Sequence, residues 1–559
     1  MSDSVTVPEA GRRKARGDFF TPPAITRFIA DWAVREPADA VLEPSCGEAA
    51  FLLAAGERLA GLGAPREALA EHLRGIEIHE PSAGRGHAEL RARGLDAGIQ
   101  VADFFDCPPG PAFDAVVGNP PYIRYQQFNG AARLKSVEAA LAAGVRLSGL
   151  ASSWAAFVVH ASRFLKPEGR LGLVLPAELL TVGYAAPVRR FLLERFSRVR
   201  LVMFDGRVFP GVLEEVVLLL AEGHGGASRF EVFQARDLAH LEKIGTDCWT
   251  GFAPGRTDKW TPALLSHASF ETYRRLCGQT AFSTLADWGE TYLGAVTGNN
   301  GFFALSEAEA ASLGLTADDL LKISPPGSRH LSGLTFSAAA WERLRDAGSR
   351  CFLFYPKSDE PGAAAGRFIA AGEARKVHLT YKCRSRAPWW RVPLVEQPDL
   401  LLTYMDHDRP RLVTNAASVQ ALNSLYGVRL RQRRRTLGRD LLPLAALNSV
   451  TLLGAEMVGR AYGGGLLKLE PREADRLPAP APETLAALAP ELAALRPQVT
   501  AALERNDLER ASALVDEVVL SRHLGVAGPE LAALRAAREL LFRRRVQRAR
   551  PSRGATAGD

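Results

Sequence analysis

Long apolar runs are missing from this chain, and so is any cysteine pattern. No stretch approaches the roughly 18 apolar residues that a membrane span requires. The six cysteines, at 46, 107, 248, 277, 351 and 383, contain no C-x-x-C pair. Neither a zinc ribbon nor a disulfide framework is expected, no metal site is assigned, and the thiols fit a reducing cytoplasm. The amino terminus carries Arg12, Arg13, Lys14 and Arg16 with no apolar core after them, so no secretory signal is expected. No Pro-Asp is followed at suitable spacing by an acid-x-Lys triplet, and Pro398-Asp399 has none within about 30 residues. No nuclease centre is expected, and the motifs described below begin so near the amino terminus that an upstream nuclease is not expected either.

What is present is a globular composition, 47% hydrophobic and 23% charged, able to bury a core. At 559 residues the chain accommodates about two to four domains of roughly 100–200 residues each. A net charge of +7 and a pI near 9.1 suit a polyanionic partner. From about residue 24 to about residue 221 short apolar strands alternate with helical stretches, residues 171–176, 199–204 and 216–220 continuing a series that begins at Val41. The pattern predicts an α/β fold with a doubly wound, mostly parallel sheet, its ligands at the carboxyl ends of the strands. Three parts are expected: a domain over 1–240, an irregular basic and aromatic segment over 241–476, and an Ala/Leu-rich helical region over 477–559. Pro478, Pro480 and Pro482 mark the last boundary, and Arg543, Arg544, Arg545, Arg548 and Arg550 form a basic end. No repeat signals a solenoid.

The most informative stretch is Phe113-Asp114-Ala115-Val116-Val117-Gly118-Asn119-Pro120-Pro121-Tyr122, a buried strand running into a rigid turn. An amine conjugated to a ring is a poor nucleophile because its lone pair is delocalised. Two acceptors gripping its hydrogens pull the nitrogen towards sp3, and the Asn119 side-chain oxygen and the Pro120 carbonyl are candidates for that pair. Two consecutive prolines fix φ and push Asn119 into an extended conformation, so the acceptors are held in place beforehand. Tyr122 offers a ring on which a flat base can stack. Upstream, Val41-Leu42-Glu43-Pro44-Ser45-Cys46-Gly47-Glu48 reads as strand, tight turn and helix start, a nucleotide-type site. Gly75-Ile76-Glu77-Ile78 places an acid at a strand end, suited to ribose hydroxyls. Val101-Ala102-Asp103-Phe104-Phe105 supplies an acid and aromatics suited to an adenine.

In their order these segments resemble the gamma-class (TaqI-like) N6-adenine DNA methyltransferases, over most of the first 220 or so residues. The resemblance implies an S-adenosylmethionine-dependent methyltransferase (Rossmann-like) domain over 1–240. It implies cofactor binding by Thr21, within Phe20-Thr21-Pro22-Pro23, by Glu43, Ser45, Cys46 and Gly47 of the turn, and by Glu77, Ile78, Asp103, Phe104, Asn119 and Phe157. Asn119, Pro120, Pro121 and Tyr122 match the catalytic motif. Phe209, in Val208-Phe209-Pro210, is similar to the residue that stacks on the flipped base opposite Tyr122; its other reading is ordinary core beside the strand from Val216. The turn departs from related folds in carrying Cys46-Gly47-Glu48-Ala49 where they have two or three glycines. Phe157 is expected to precede a helix that ends at Leu165-Lys166-Pro167-Glu168-Gly169.

Motif order puts target recognition downstream, in 241–476. There Arg375, Lys376, His378, Lys382, Arg384, Arg386, Trp389, Trp390 and Arg391 interleave cations with aromatics, and Arg429, Arg431, Arg433, Arg434, Arg435 and Arg439 form a second cluster. Any single one of these reads first as solvated surface. As an ensemble they suit DNA, which needs many cations for phosphates and bidentate ones for bases; Lys382, Arg384, Arg386, Trp389, Trp390, Arg391, Arg433, Arg434 and Arg435 are the expected DNA-binding set. Segments 294–303 and 462–468 also resemble parts of TaqI-like recognition domains, and the helical end reads as a cap with a basic tail. The resemblance thus implies a monomeric, cytoplasmic enzyme that methylates the N6 amino group of a flipped adenine in double-stranded DNA, as the modification component of a restriction-modification or related defence system. A separate cognate restriction endonuclease is left open as a partner. So are three other readings: a catalytically silent DNA-binding or specificity subunit, a protein-glutamine methyltransferase, and an N4-cytosine methyltransferase, against which Asn119 argues because such enzymes usually carry Ser there.

Overall fold

The computed structural model describes residues 21–123, 127–128, 130–204, 208–209, 215–245, 248–254, 259–462 and 465–547. Arg12, Arg13, Lys14, Arg16, Phe20, Pro210, Gly463, Gly464, Arg548 and Arg550, named above, lie outside them. The described residues up to Leu264 form one compact unit and those from Leu265 onward a second.

The first unit is built on a nine-stranded sheet: β1 (Val41–Glu43), β2 (Leu73–Glu77), β3 (Gly98–Val101), β4 (Phe113–Gly118), β5 (Leu165–Pro176), β6 (Arg198–Phe204), β7 (Val216–Glu222), β8 (Phe230–Ala235) and β9 (Thr250–Phe252). Their spatial order is β3-β2-β1-β4-β5-β7-β6-β8-β9. Pairing is parallel from β3 to β5, whereas β7 runs antiparallel to both β5 and β6. Ala115, Val116 and Val117 of β4 have no exposed surface, as a central strand covered on both faces requires, and their unbroken apolar run follows from it. Helices α1 (Pro23–Ala33), α2 (Ala50–Gly61), α3 (Glu80–Ala92), α4 (Gly130–Leu141) and α5 (Ser153–Ser162) belong to this unit. In α1, Pro23 supplies a preset φ at the first position, and Ile25, Ile29 and Ala33 repeat at the helical period to enter the core. The chain order reverses between β1 and β4, which opens a crevice at their carboxyl ends.

One expectation about chain path needs correction. Helix α5 ends at Ser162, and Leu165 to Gly169 already belong to strand β5. Pro167 cannot donate in a helix, and the β4 pairing absorbs the awkward segment as a register shift, Phe113 opposite Leu165 and Ala115 opposite Arg170. Pro478–Pro480, at the expected boundary, is a strand pairing antiparallel with Phe282–Thr284, one of a two-stranded pair, where a missing N–H is tolerated.

The second unit holds a five-stranded sheet in the order Gly289–Leu293, Tyr426–Leu430, Leu400–Leu402, Leu412–Asn415, Thr335–Phe336, with three smaller sheets around it. Its carboxy-terminal helices are integral to it. Asp516, fully buried, accepts from the Ser449 amide and hydroxyl, both at 2.7 Å. Arg545, expected in a basic tail, is instead buried and paired with Glu456 at 2.7 Å. Among the described residues no single helix is long and apolar enough to cross a membrane.

Candidate active site

The crevice is lined by the ends of β1 to β4. After β1 the chain turns through Gly47 at φ +52° and Ala49 at φ +66° into α2. Glu77, at the end of β2, reaches back to this turn: its two carboxylate oxygens accept from the Gly47 and His79 amides, each at 2.8 Å. A Cβ on Gly86 of α3 would stand 3.1 Å from that of Ala49, so glycine is what lets α3 close behind the turn. Ser45 is half-buried and donates to the Asn119 carbonyl at 3.4 Å, and Cys46 is buried. Glu43 is occupied structurally. Its carboxylate is buried and accepts from Leu52 N at 2.9 Å and also from Phe51, capping α2; burial raises its pKa, and those two N–H groups oppose the rise.

Asp103 accepts from Phe105 N at 3.0 Å and from Lys135 of α4 at 3.5 Å. The Phe104 ring is buried against Phe157 and His160 of α5, with centroids 4.8 and 4.7 Å away. Burial holds the His160 pKa below its ordinary value. Beside the two acids, Ile78 is 68% and Val101 52% exposed. Two apolar side chains thus stand in water next to two carboxylates.

At the end of β4 the Asn119 amide is fixed at both ends. Its Nδ2 donates to Thr21 Oγ1 at 3.1 Å, and its Oδ1 accepts from the Tyr122 hydroxyl at 2.7 Å; that hydroxyl also faces the Val174 carbonyl of β5 at 2.8 Å. A carbonyl oxygen has two lone pairs, so Oδ1 retains one for a further donor. Ser153, at the start of α5, clamps the other side of the turn: its hydroxyl donates to the Pro121 carbonyl and accepts from Ile123 N. Thr21 as the Asn119 tether and Ser153 as the clamp were not legible in the sequence. The only local signal, a Ser-Ser pair opening a helix, reads as ordinary capping. Phe209 is 5% exposed in a core cluster against which Tyr122 also packs.

In the second unit Gly298, at φ +87°, brings the loop at 294–303 onto the helix Tyr381–Arg384; a Cβ there would lie 3.0 Å from Lys382 Cβ. Lys382, Arg384 and Arg433 are exposed. The rest of the downstream set is tied into the fold. Arg386 donates to the carbonyls of Lys382, Val296 and Thr297, and Arg391 to those of Pro356 and Ser358 and to Asp359. Arg434 bonds the Asp287 carbonyl, and Arg435 pairs with the buried Asp399 at 2.6 Å. Trp389 bonds Glu373 and packs on Phe302, while Trp390 is core.

A parallel sheet ordered 3-2-1-4-5 and continued by a reversed β7 and then β6, with acids at the ends of its first strands, is the fold of an S-adenosylmethionine-dependent methyltransferase. Comparison narrows the class. The family described as N-6 DNA Methylase matches residues 9–224, and the carboxy-terminal domain of the type II methyltransferase M.Eco57I matches residues 257–520. The chain is 26% identical over 504 residues to the type II methyltransferase M.XamI of Xanthomonas campestris pv. amaranthicola, covering 87% of this chain and 89% of that protein. It is 21% identical to M.AccI of Acinetobacter calcoaceticus, covering 83% and 85%, and 30% identical to M.TthHB8I of Thermus thermophilus over 40% of this chain and 50% of that protein. Residues 9–224 are thus similar to N6-adenine DNA methylases, and most of the chain is similar to type II DNA methyltransferases.

Proposed function

We propose that this protein transfers a methyl group from S-adenosylmethionine to the exocyclic N6 amino group of an adenine flipped out of duplex DNA, as the modification component of a restriction-modification or related defence system. The observation that carries the reading is the Asn119-Pro120-Pro121-Tyr122 turn, held by Thr21 on one side and Ser153 on the other at the mouth of the β1/β4 crevice. Cofactor motifs preceding the catalytic turn, with recognition downstream, support the gamma-class arrangement.

The exposed Ile78 and Val101, with Glu77, Asp103 and the Phe104–Phe157 pair, would hold the nucleoside part of the cofactor. When bound, S-adenosylmethionine supplies an electrophilic sulfonium methyl. The protein's part is to make the adenine nitrogen nucleophilic and to aim it. Asn119 Oδ1 and the Pro120 carbonyl accept the two amino hydrogens, which localises the lone pair on nitrogen. Because the turn is rigid before the base arrives, its dipoles pay no reorganisation cost at the moment of reaction. Tyr122 stacks on one face of the base and Phe209 on the other. Flipping is a geometric requirement, since a paired and stacked amine cannot meet the methyl in line, and it costs a few kcal/mol that stacking at about 1–3 kcal/mol per ring offsets in part.

Lys382, Arg384 and Arg433 are the expected contacts to duplex phosphates. Modified-base sequencing of DNA from cells expressing the protein tests the reaction: N6-methyladenine at one recurring sequence is expected. Methylated cytosine, or duplex binding with no methylated base, would overturn it.

A further inference from the structure

Two large side chains of the second unit stand in water on a rigid support. Leu379 is 56% and Tyr381 70% exposed. Of the other exposed residues in the segment 375–386, Arg375, Lys376, Lys382 and Arg384 are cationic and Ser385 is neutral, and none of residues 375–386 is acidic. Lys382 Nζ lies 5.4 Å and Arg384 Cζ 5.7 Å from the Tyr381 ring centroid.

The support is well anchored. Cys383, between the two cations, is fully buried in the cluster containing Phe302, Phe303 and Val392, and its thiol faces the Thr297 carbonyl at 3.6 Å. Gly298 packs close beneath it: a Cβ there would lie 3.0 Å from Lys382 Cβ and 3.2 Å from Cys383 Sγ. Folding has therefore pinned this backbone while leaving its ring unburied, and an apolar tip presented in that way is a contact surface. A ring with two cations 5.4 and 5.7 Å from its centroid, in a segment with no acid from 375 to 386, suits a partner with both negative charge and flat π faces. Duplex DNA has both: stacking on an exposed or unstacked base is sequence-tolerant, and apolar wedges enter base steps.

We propose that Tyr381 stacks on a base or wedges at a base step of the duplex, with Lys382 and Arg384 on the flanking phosphates. The inference rests on the DNA reading above and adds a contact made by a ring. Its test uses the full-length protein and two duplexes, one carrying the methylated site found by sequencing and one scrambled, with affinity measured across a salt series. Tyr381→Ala is expected to weaken binding by about 5- to 150-fold at fixed salt, the range for one aromatic stack, with the salt slope unchanged. Tyr381→Phe is expected to bind within about twofold of wild type. Lys382→Gln is expected to lower the salt slope by about one. S-adenosylmethionine binding by each variant verifies that the fold is kept.

Wild-type affinity of Tyr381→Ala for both duplexes would overturn the proposal and leave this tip to a protein partner. Equal losses in Tyr381→Phe and Tyr381→Ala would replace stacking by a hydroxyl contact and overturn it as well. A wild-type protein that binds duplex yet methylates no adenine would overturn the reaction reading alone; one that binds no duplex would overturn both.

Discussion

Replacing Ser153 by alanine removes a single hydroxyl from the first turn of α5, and the structure sets the size of the effect. That hydroxyl donates to the Pro121 carbonyl and accepts from Ile123 N at 2.9 Å, and Ser153 is only 2% exposed. Leaving a buried donor or acceptor unpaired costs about 1–3 kcal/mol. Pro121 and Ile123 are half-buried, so water reaches part of the gap, and the combined loss falls to about 2 kcal/mol. The two prolines cannot relax through φ, so the turn shifts as a body and carries Asn119 Oδ1 and the Pro120 carbonyl off the incoming amine. A loss of 2 kcal/mol in alignment predicts a fall in kcat of about 10- to 30-fold. Cofactor affinity should stay within about twofold, because the hydroxyl bonds none of the groups assigned to the cofactor nucleoside. Single-turnover transfer of labelled methyl to duplex DNA measures the first quantity and calorimetric titration of S-adenosylmethionine the second. Ser153→Thr, which keeps the hydroxyl, should recover most of the rate. Turnover of Ser153→Ala within about twofold of wild type, or a threonine variant no better than alanine, would refute the clamp.

Three further outcomes are expected. Asn119→Ala should reduce methyl transfer by about 100- to 1000-fold, the usual effect of deleting one preorganised electrostatic contact, with cofactor binding nearly intact; more than about a tenth of wild-type turnover would contradict its role. Tyr122→Phe should be mild in base capture, because it keeps the ring while losing the hydroxyl ties to Asn119 and Val174, whereas Tyr122→Ala and Phe209→Ala should each impair base capture. A 2-aminopurine at the target position should brighten with wild type and differently with each alanine variant, and persistent quenching with active enzyme would exclude flipping. The third concerns pH. Burial raises the Glu43 carboxyl above its unfolded value, so between the two values the folded state holds more protons, and stability falls as pH rises through that window. Chemical denaturation across pH should show this slope in the wild type and not in Glu43→Gln; identical profiles would refute the assignment.

The order of these elements along the chain was legible because it is written at short range. The apolar runs at 115–118 and 216–220 match strands β4 and β7, since a strand covered on both faces needs no polar alternation. That β7 runs backwards beside β5 was not legible, because strand direction depends on how the connection folds, not on residue period. The Asn-Pro-Pro-Tyr turn announced itself through the stereochemistry of proline, which acts on its own and the preceding residue wherever the chain goes.

What only the tertiary structure decided is which polar groups are spent inside the fold and which remain for ligands. Glu43 and Glu77 look alike in sequence, each an acid at a strand end, yet one caps a helix from a buried position and the other bridges the turn beside exposed Ile78. Arg435 and Arg433 are two residues apart, but only Arg435 meets the buried Asp399. Trp390 and Tyr381 sit in one basic segment, the first in the core and the second in water. Thr21 reaches Asn119 across 98 positions, Ser153 reaches Pro121 across 32, and Arg545 reaches Glu456 across 89. Hydrophobic period and turn chemistry reach only a few residues along the chain, so they determine the elements and the reactive turn. A hydrogen bond or ion pair between distant residues exists only once packing has brought donor and acceptor within about 3 Å, and such meetings decide which side chains are held and which are free to act.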